Sequence, residues 1–474
     1  MSNVEACVAP LPRGASAPRR WAALPVILAG TFMVILDFFI VNVAIPSMQR
    51  ELRADTAAIE WVVASYSLAY AALLIPGGRL GDIHGRRRVF GLGLGVFTLT
   101  SAACGLAPNA AALILARAAQ GVGAALLAPQ VLAILGTVYV GADRARAFAA
   151  YGLVLGLASA CGQLIGGLLI AADVGGLGWR ACFLVNVPIG AAALLLAPAL
   201  VPESRAASGR RLDLLGAALA ALGIAGALLL LIEGRANGWP GWTWLCLAAA
   251  GGMLAAFILR QRRSAAPLID AVLLRTRSFG VGLLAVLALF GGVASFFLVL
   301  ALYLQQGRGL APLPSGMVFT SMALSFAASS LAAGPIGKRL GRPPLVIGAL
   351  GMAAGLGVLR LTVGLIGVSG PVWLLAPALL IDGAGMGLVM APLVSTVLAG
   401  LPDRLGGAAA GVLAASQQLA NALGVALVGL VFFGALGHGA ERAAYAGAFG
   451  LSLSCLTALA LVLAILVWRL ERRA

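Results

Sequence analysis

Fourteen runs of roughly twenty or more mostly apolar residues follow one another along the 474-residue chain, separated by short polar breaks rich in arginine. A helix needs about 20 such residues to cross the hydrocarbon core of a bilayer. Within that core every backbone N–H and C=O must find its partner inside protein, so the spanning structures are helices and closed barrels. Barrel strands are about ten residues long and alternate apolar with polar, so these runs read as helices. The spans fall at 22–46, 57–78, 89–107, 110–138, 146–171, 181–200, 212–233, 240–260, 279–304, 313–335, 343–365, 371–398, 406–434 and 445–468. Only 10% of the residues are charged and the mean hydropathy is +1.03, whereas a soluble chain carries about 25% charged residues. The predicted class is an all-α integral membrane protein with the lipid bilayer as its solvent.

The net charge of +16 would point to nucleic acid in a soluble protein. Here the arginines sit in short loops between spans, where they report topology and contact with anionic lipid heads; no nucleic-acid partner is expected. With fourteen spans and a cytoplasmic N-terminus, one face collects 24 of the 32 basic residues and the other seven, with Arg117 left inside a span. A thirteen-span reading loses that asymmetry, so both termini are predicted to be cytoplasmic. Residues 1–21 read as a polar arm, and the run that follows is too long for a signal-peptide core; insertion rather than secretion is expected. Lys338 is the sole lysine, and Ala and Gly abound. This bias points to a GC-rich bacterial genome and hence to a bacterial inner (cytoplasmic) membrane.

The six cysteines are dispersed without a CxxC pair, and His84 and His438 have no helical His partner, so neither disulfides nor a metal site is expected. The glycines of GLGLG (91–95) and GVG (121–123) lie in spans and read as helix-packing residues. No Walker loop, metalloprotease motif or nucleophile constellation is present, so no cofactor, ATP drive or catalytic residue is expected.

Arg117 stands in the apolar stretch AALILARAAQGVGAALLAPQ (111–130). A charge at the bilayer centre costs about 3 kcal/mol or more and by default marks a substrate or ion pathway. Its potential counter-charges are few, chiefly Asp37 in span 1 and Asp382 in span 12.

Weak internal symmetry runs through the chain. IPGGRLGDIHGRRRVF (75–90) matches AAGPIGKRLGRPPLVIG (332–348), and GVGAALLAPQ (121–130) matches GAGMGLVMAPL (383–393), each pair eight spans apart. Two six-span bundles follow, at 22–200 and 278–474, joined by a linker at 201–277 that holds two inserted spans. Parallel repeats of this kind place a transport site between the halves near mid-membrane.

In GRLGDIHGRRR (78–88) a short loop sets Asp82 beside Arg86, Arg87 and Arg88, while Gly78, Gly81 and Gly85 permit a tight turn and close helix approach. An acid beside a basic cluster and a helix N-terminus can form a breakable cytoplasmic latch; the bland alternative is an ordinary basic loop. Gly78, Leu80, Asp82, Gly85, Arg86 and Arg87 resemble the loop motif of the major facilitator superfamily, with Ile83 where a basic residue is frequent. LDFFIVNVAIP (36–46) resembles the first helix of the fourteen-helix drug:proton antiporters, with Phe39 where Thr is common. WRACFLVNVPIG (179–190) is similar to their sixth helix, and Arg117, Gln120 and Gly121 to their Arg-x-x-Gln-Gly motif. The resemblance covers the whole chain. One departure is in GLASACGQLIGGLL (156–169), where Gln163 stands in place of the Pro usual in the antiporter motif.

The resemblance implies a major facilitator fold of fourteen helices and proton-coupled efflux of small amphipathic organic compounds, drugs or antibiotic-like metabolites, with Arg117 serving proton coupling. Burial disfavours an ionised carboxylate and a neighbouring guanidinium favours it. Asp37 is therefore expected to exchange protons with Arg117 modulating it, or else to form a static buried pair. Asp382 is a further proton-coupling candidate, or a carboxylate satisfied by backbone at a helix kink. Polar groups within spans must find partners or water; Asn42, Tyr66, Tyr70, Gln120, Gln130, Gln163, Gln417, Gln418 and Asn421 are expected to line the cavity or to bond helix to helix. Phe38, Phe39, Phe296 and Phe297 could line an apolar pocket or face lipid. The expected assembly is a monomer. The alternatives are a metabolite uniporter or proton symporter and, in another class, a non-transporting sensor or embedded enzyme.

Overall fold

The computed structural model describes residues 17–205, 213–234, 237–263, 273, 276–341, 343–399, 403–437 and 441–472. Most of the predicted N-terminal arm, His438 and the basic linker residues Arg210, Arg211 and Arg275 lie outside the described residues.

The spans are helices α1 (Ala17–Leu52), α2 (Thr56–His84), α3 (Arg86–Gly105), α4 (Ala110–Val138) and α5 (Gly141–Ala172). They continue with α6 (Gly178–Leu200), α7 (Leu214–Leu229, with a π-helical turn at Leu230–Gly234), α8 (Gly241–Arg263) and α9 (Arg277–Leu302, with a π-helical turn at Tyr303–Gly307). The last five are α10 (Pro312–Leu340), α11 (Leu345–Ile366), α12 (Ala376–Ala399), α13 (Asp403–Leu436) and α14 (Ala444–Glu471). No strand occurs among the described residues. Helix α5 is the fourteenth span, bent by 45° between Ser159 and Cys161. The Ser159 hydroxyl there donates back to the Leu155 carbonyl, a bond that bends helices. Large apolar side chains such as Leu195 and Leu365 point outward, as lipid-facing surface requires.

The helices form two six-helix bundles and an inserted pair. In the first bundle α4 packs between α2 and α3, while α1 packs against α5 and α6. In the second, α12 packs between α10 and α11, while α9 packs against α13 and α14. Each pairing recurs eight helices later, and glycine contacts show the same correspondence. A methyl on Gly121 of α4 would lie 2.3 Å from the Tyr66 carbonyl oxygen of α2, and one on Gly383 of α12 would lie 2.3 Å from the Met322 carbonyl oxygen of α10. Two residues on, Gly123 abuts the Phe97 backbone of α3 and Gly385 the Met352 backbone of α11. Small residues let helix backbones meet where no hydrophobic force between helices operates.

The bundles join along α5–α10 and α2–α13. Both helical termini lie at one end of the molecule. The Tyr139 hydroxyl at the end of α4 donates to the Arg20 carbonyl in α1 (2.6 Å), and the Leu345 N–H of α11 donates to the Glu471 carboxylate of α14 (3.1 Å). At the opposite, distal end, α1 and α9 are tied together. Gln305 Nε2 donates to the Val43 carbonyl (3.0 Å) and Gln306 Nε2 to Gln49 Oε1 (2.5 Å). The π-helical turn of α9 presents both glutamines to α1.

Helices α7 and α8 pack on each other, and α7 leans on α2 and α13. Glu233 accepts from the Trp61 indole N–H at 2.9 Å, so this carboxylate clips the inserted pair to the first bundle. At the opposite end, Asp213 caps α7 by accepting the Gly216 N–H at 2.9 Å, and also accepts from Arg260 Nε at 2.7 Å. Burial alone would raise this carboxyl's pKa, but the Gly216 N–H, Arg260 and Gln261 together outweigh it and hold it below the usual carboxylate value. A depressed folded-state pKa contributes stability that is fully present above the unfolded-state value and fades as pH falls through the folded one. Helices α7 and α8 should therefore loosen below about pH 4, near the ordinary carboxyl pKa. Asp213→Asn should remove that acid step, measured as proteolysis of the 213–263 segment against pH.

Candidate functional site in the first bundle

Asp37 on α1 and Arg117 on α4 face each other in the interior of the first bundle, with 0% and 1% of their surface exposed. Arg117 Nη1 donates to Asp37 Oδ2. Burying two ions costs several kcal/mol each unless the remaining donors and acceptors are also satisfied; here both carboxylate oxygens of Asp37 and the Nε and Nη1 of Arg117 are bonded. Asp37 Oδ1 accepts from Gln120 Nε2 at 2.8 Å and from Asn186 Nδ2 at 3.1 Å. Arg117 Nε donates to the Val62 carbonyl of α2 at 3.2 Å, and its Nη1 reaches Gln120 Oε1 at 2.6 Å. The guanidinium carbon lies 4.3 Å from the Tyr66 ring centroid, within cation–π range. Gln120 Nε2 also reaches Ser101 Oγ on α3 at 2.7 Å. The cluster draws on α1, α2, α3, α4 and α6, and all of these residues belong to the first bundle.

Helical periodicity explains the assembly. Arg117 and Gln120 are three residues apart and share one face of α4. Gly121 brings α2 close enough for Arg117 to reach a main-chain carbonyl. Asn186 and Ser101 were not singled out by sequence reasoning, although Asn186 lies within the quoted WRACFLVNVPIG segment.

The second bundle has a corresponding site built from different residues. Asp37-Phe38-Phe39 of α1 has its counterpart in Ser295-Phe296-Phe297 of α9, and Phe39 and Phe297 touch edge to face at 4.9 Å where the bundles meet. The equivalence of Gly121 and Gly383 makes Asp382 the counterpart of Gln120. Asp382 is buried, and its Oδ1 has no hydrogen-bond partner among the described residues. It faces a narrow cavity whose other lining residues, including Leu289, Phe296, Met352, Met386 and Leu456, are apolar. The second bundle thus has its acid on the fourth helix rather than the first, with no arginine in the cavity wall among the described residues.

The loop between α2 and α3 is also locally bonded. Arg86 Nη2 meets Asp82 Oδ1 at 2.9 Å. The Arg87 N–H donates to Glu203 Oε1 at 3.0 Å, and its guanidinium to the Pro198 carbonyl at 3.1 Å, beyond and within α6. Gly85 has φ +106°, a conformation that favours glycine, and the Glu203 carboxylate lies against it. Gly77 and Gly81, rather than Gly78, make the closest approach to α4: a methyl on Gly78 would stand 3.4 Å from Pro129 in ordinary contact. Glu203, the acid that ties this loop to α6, was missed in the sequence; its signal is an acid just after a span end.

The residues read as cavity-lining separate in the structure. Gln120 belongs to the charge cluster, with Tyr66 beneath Arg117, and Tyr66 and Tyr70 stack edge to face at 5.9 Å. Gln130 Nε2 is bonded to the Gly77 carbonyl between α4 and α2 at 2.8 Å. Asn42 donates to the Phe38 carbonyl of its own helix at 3.3 Å. On α13, Asn421 donates to Gln418 at 3.2 Å, and Gln417 is half-buried. Gln163 alone of the nine lines the pocket at the seam between α5 and α10.

Residues 27–425 match the Major Facilitator Superfamily. The chain belongs to that superfamily. It is a multi-pass membrane transport protein and not an enzyme. It is 38% identical over 435 residues to the probable actinorhodin transporter of Streptomyces coelicolor, covering 91% of this chain and 75% of that one. It is 39% identical over 437 residues to the puromycin resistance protein pur8 of Streptomyces alboniger, covering 90% and 86%. Its fold is similar to the crystal structure of a bacterial homolog of the human lysosomal transporter Spinster in the inward-facing, occupied conformation. There the TM-score is 0.68 at 15% identity, covering 97% of this chain and 98% of that one.

Proposed function

We propose that this superfamily member exports small amphipathic organic compounds, drugs or antibiotic-like metabolites, in exchange for protons. It acts as a monomer in a bacterial cytoplasmic membrane with both termini inside. The export reading is supported by relatives named as an antibiotic transporter and an antibiotic resistance protein. The proton reading rests on one observation above all, the Asp37–Arg117 pair sealed inside the first bundle.

Asp37 takes up a proton only when Arg117 leaves it. The guanidinium already contacts the Val62 carbonyl, Gln120 Oε1 and the Tyr66 ring, so partners remain for it once Asp37 is neutral. Because Val62 and Tyr66 belong to α2, which packs on α13 of the other bundle, the switch is coupled to the seam that must open and close. Asp382 is the second proton carrier, with no cation in its cavity wall. In everted vesicles with an acidified lumen, adding a transported dye should release protons from the lumen. Flux that ignores the proton gradient would mean uniport, and proton movement in the same direction as the dye would mean symport.

The α2–α3 loop acts as the cytoplasmic latch. Asp82 is 41% exposed in its pair with Arg86, and exposed pairs are worth about 0.2–1 kcal/mol. Asp82→Asn should therefore leave substrate binding nearly unchanged and slow turnover by up to about fivefold. Equilibrium binding and single-turnover efflux on the same preparation measure the two effects; a loss confined to binding would contradict the latch.

A further inference from the structure

With α5 and α10 in contact, their seam leaves only a narrow pocket, lined by Ser159, Gln163, Phe297, Phe319, Met322 and Phe326, among others. Gln163 is 1% exposed, yet neither its Nε2 nor its Oε1 has a hydrogen-bond partner among the described residues. A buried amide left unpaired loses its bonds to water without replacement and is destabilising. The backbone fixes it in place: a methyl on Gly316 of α10 would lie 2.6 Å from the Gln163 carbonyl oxygen, so the two helices cross in contact at that residue. Around the amide the wall is aromatic. Phe297 and Phe319 lie nearly parallel, 5.4 Å apart with 17° between their planes, and Phe39 meets Phe297 edge-on. Met322 and Met386 supply deformable surface. Among the described residues no charged side chain lines this pocket; Asp382 faces the separate cavity within the second bundle.

We propose that Gln163 is a specificity-determining residue that selects neutral, flat, fused-ring aromatic substrates bearing a hydrogen-bond acceptor beside a donor. The inference rests on the export reading and adds the chemical class of the cargo. A primary amide offers a donor and an acceptor side by side. A ligand edge of the opposite order, a lactam or a hydroxyl beside a carbonyl, satisfies both orphan atoms at once. When the seam opens in the transport cycle, the phenyl rings can accept a flat face by offset stacking, and the lack of a lining acid among the described residues disfavours a fixed cation.

Three compounds on one ring system test this with the purified full-length protein: phenanthridin-6(5H)-one, its N-methyl derivative lacking the donor, and the cation ethidium. Wild-type protein should bind the lactam about tenfold more tightly than its N-methyl form, the factor that 1.4 kcal/mol provides. Gln163→Leu should abolish that ratio by weakening the lactam alone, and the near-isosteric Gln163→Met should do the same if the leucine variant fails to fold. Phe319→Ala should weaken both neutral compounds. A lactam preference that survives both Gln163 variants would overturn the proposal, as would tightest binding of ethidium. Efflux in vesicles separates the two readings. Gln163-dependent binding without efflux of the lactam would count against export and leave the site standing. Efflux of the lactam and its N-methyl form at rates unaffected by Gln163→Met would remove the site and leave export standing.

Discussion

Asp37→Asn should abolish proton-driven efflux while the protein remains in the membrane. The side chain keeps its shape and its bonding capacity toward Gln120 and Asn186 but can no longer change charge. Arg117 is then a buried cation without its counter-ion, and breaking a buried pair from one side costs about 3–5 kcal/mol. Expressed as a rate or population, even the lower figure is about a hundredfold. Arg117→Gln leaves the converse defect, a buried carboxylate facing a neutral amide. In the double variant Asp37→Asn/Arg117→Gln no charge is stranded, so thermal stability in detergent should recover above that of either single variant. Efflux against a gradient should not recover, because no titrating group is left at the site. Recovery of both would reduce the pair to packing, and normal gradient-driven transport by Asp37→Asn alone would reject the assignment of the proton site.

The second large effect comes from the seam. A methyl on Gly316 would lie 2.6 Å from the Gln163 carbonyl oxygen, and one on Gly167 would lie 2.7 Å from the Pro312 carbonyl oxygen. Both are below van der Waals contact, and on each side a backbone atom is in the way. Gly316→Val should therefore prevent α5 and α10 from closing in their distal halves and bring efflux below detection. Each bundle has its own internal packing, including the Gly121 and Gly383 crossings, so membrane abundance should hold. The buried Ser315, next in the chain, reports the change. A cysteine placed there should resist a membrane-impermeant maleimide in the otherwise wild-type protein and react in the Gly316→Val background. Unaltered efflux by Gly316→Val would mean that this seam does not close during the cycle.

The architecture was legible because hydropathy, loop charge and the Gly-x-Gly repeats each report a backbone constraint that the bilayer enforces. Fourteen helices in two bundles and an inserted pair followed from those three signals together. Arg117 and Asp37 stood out by the same physics, since a charge in an apolar run must meet another. Their companions were less legible. Ser101 and Asn186 are small polar residues whose role depends on which helices touch, and that is a tertiary fact. Gln120, Gln130 and Gln163 look alike in one dimension: each is an amide within a span. Only packing shows that the first joins an ion cluster, the second bonds a carbonyl of α2, and the third is left without a partner at the seam. The same limit explains why Gly77, and not Gly78, joins Gly81 in meeting α4, because the helix face that meets α4 is fixed by rotation of α2 and not by the motif. Asp382 was visible as a buried acid, but its correspondence with Gln120 appears only when the two bundles are compared contact by contact.

Proton release on substrate binding addresses the exchange between cargo and proton most directly. Purified protein in weakly buffered solution, over a range of pH, is mixed with a transported dye while a pH indicator is followed. Wild-type protein should release protons in step with saturation by the dye, and Asp37→Asn should bind the dye with no release attributable to that site. Equal release from the two proteins, or none from either at saturating dye, would contradict the coupling described here.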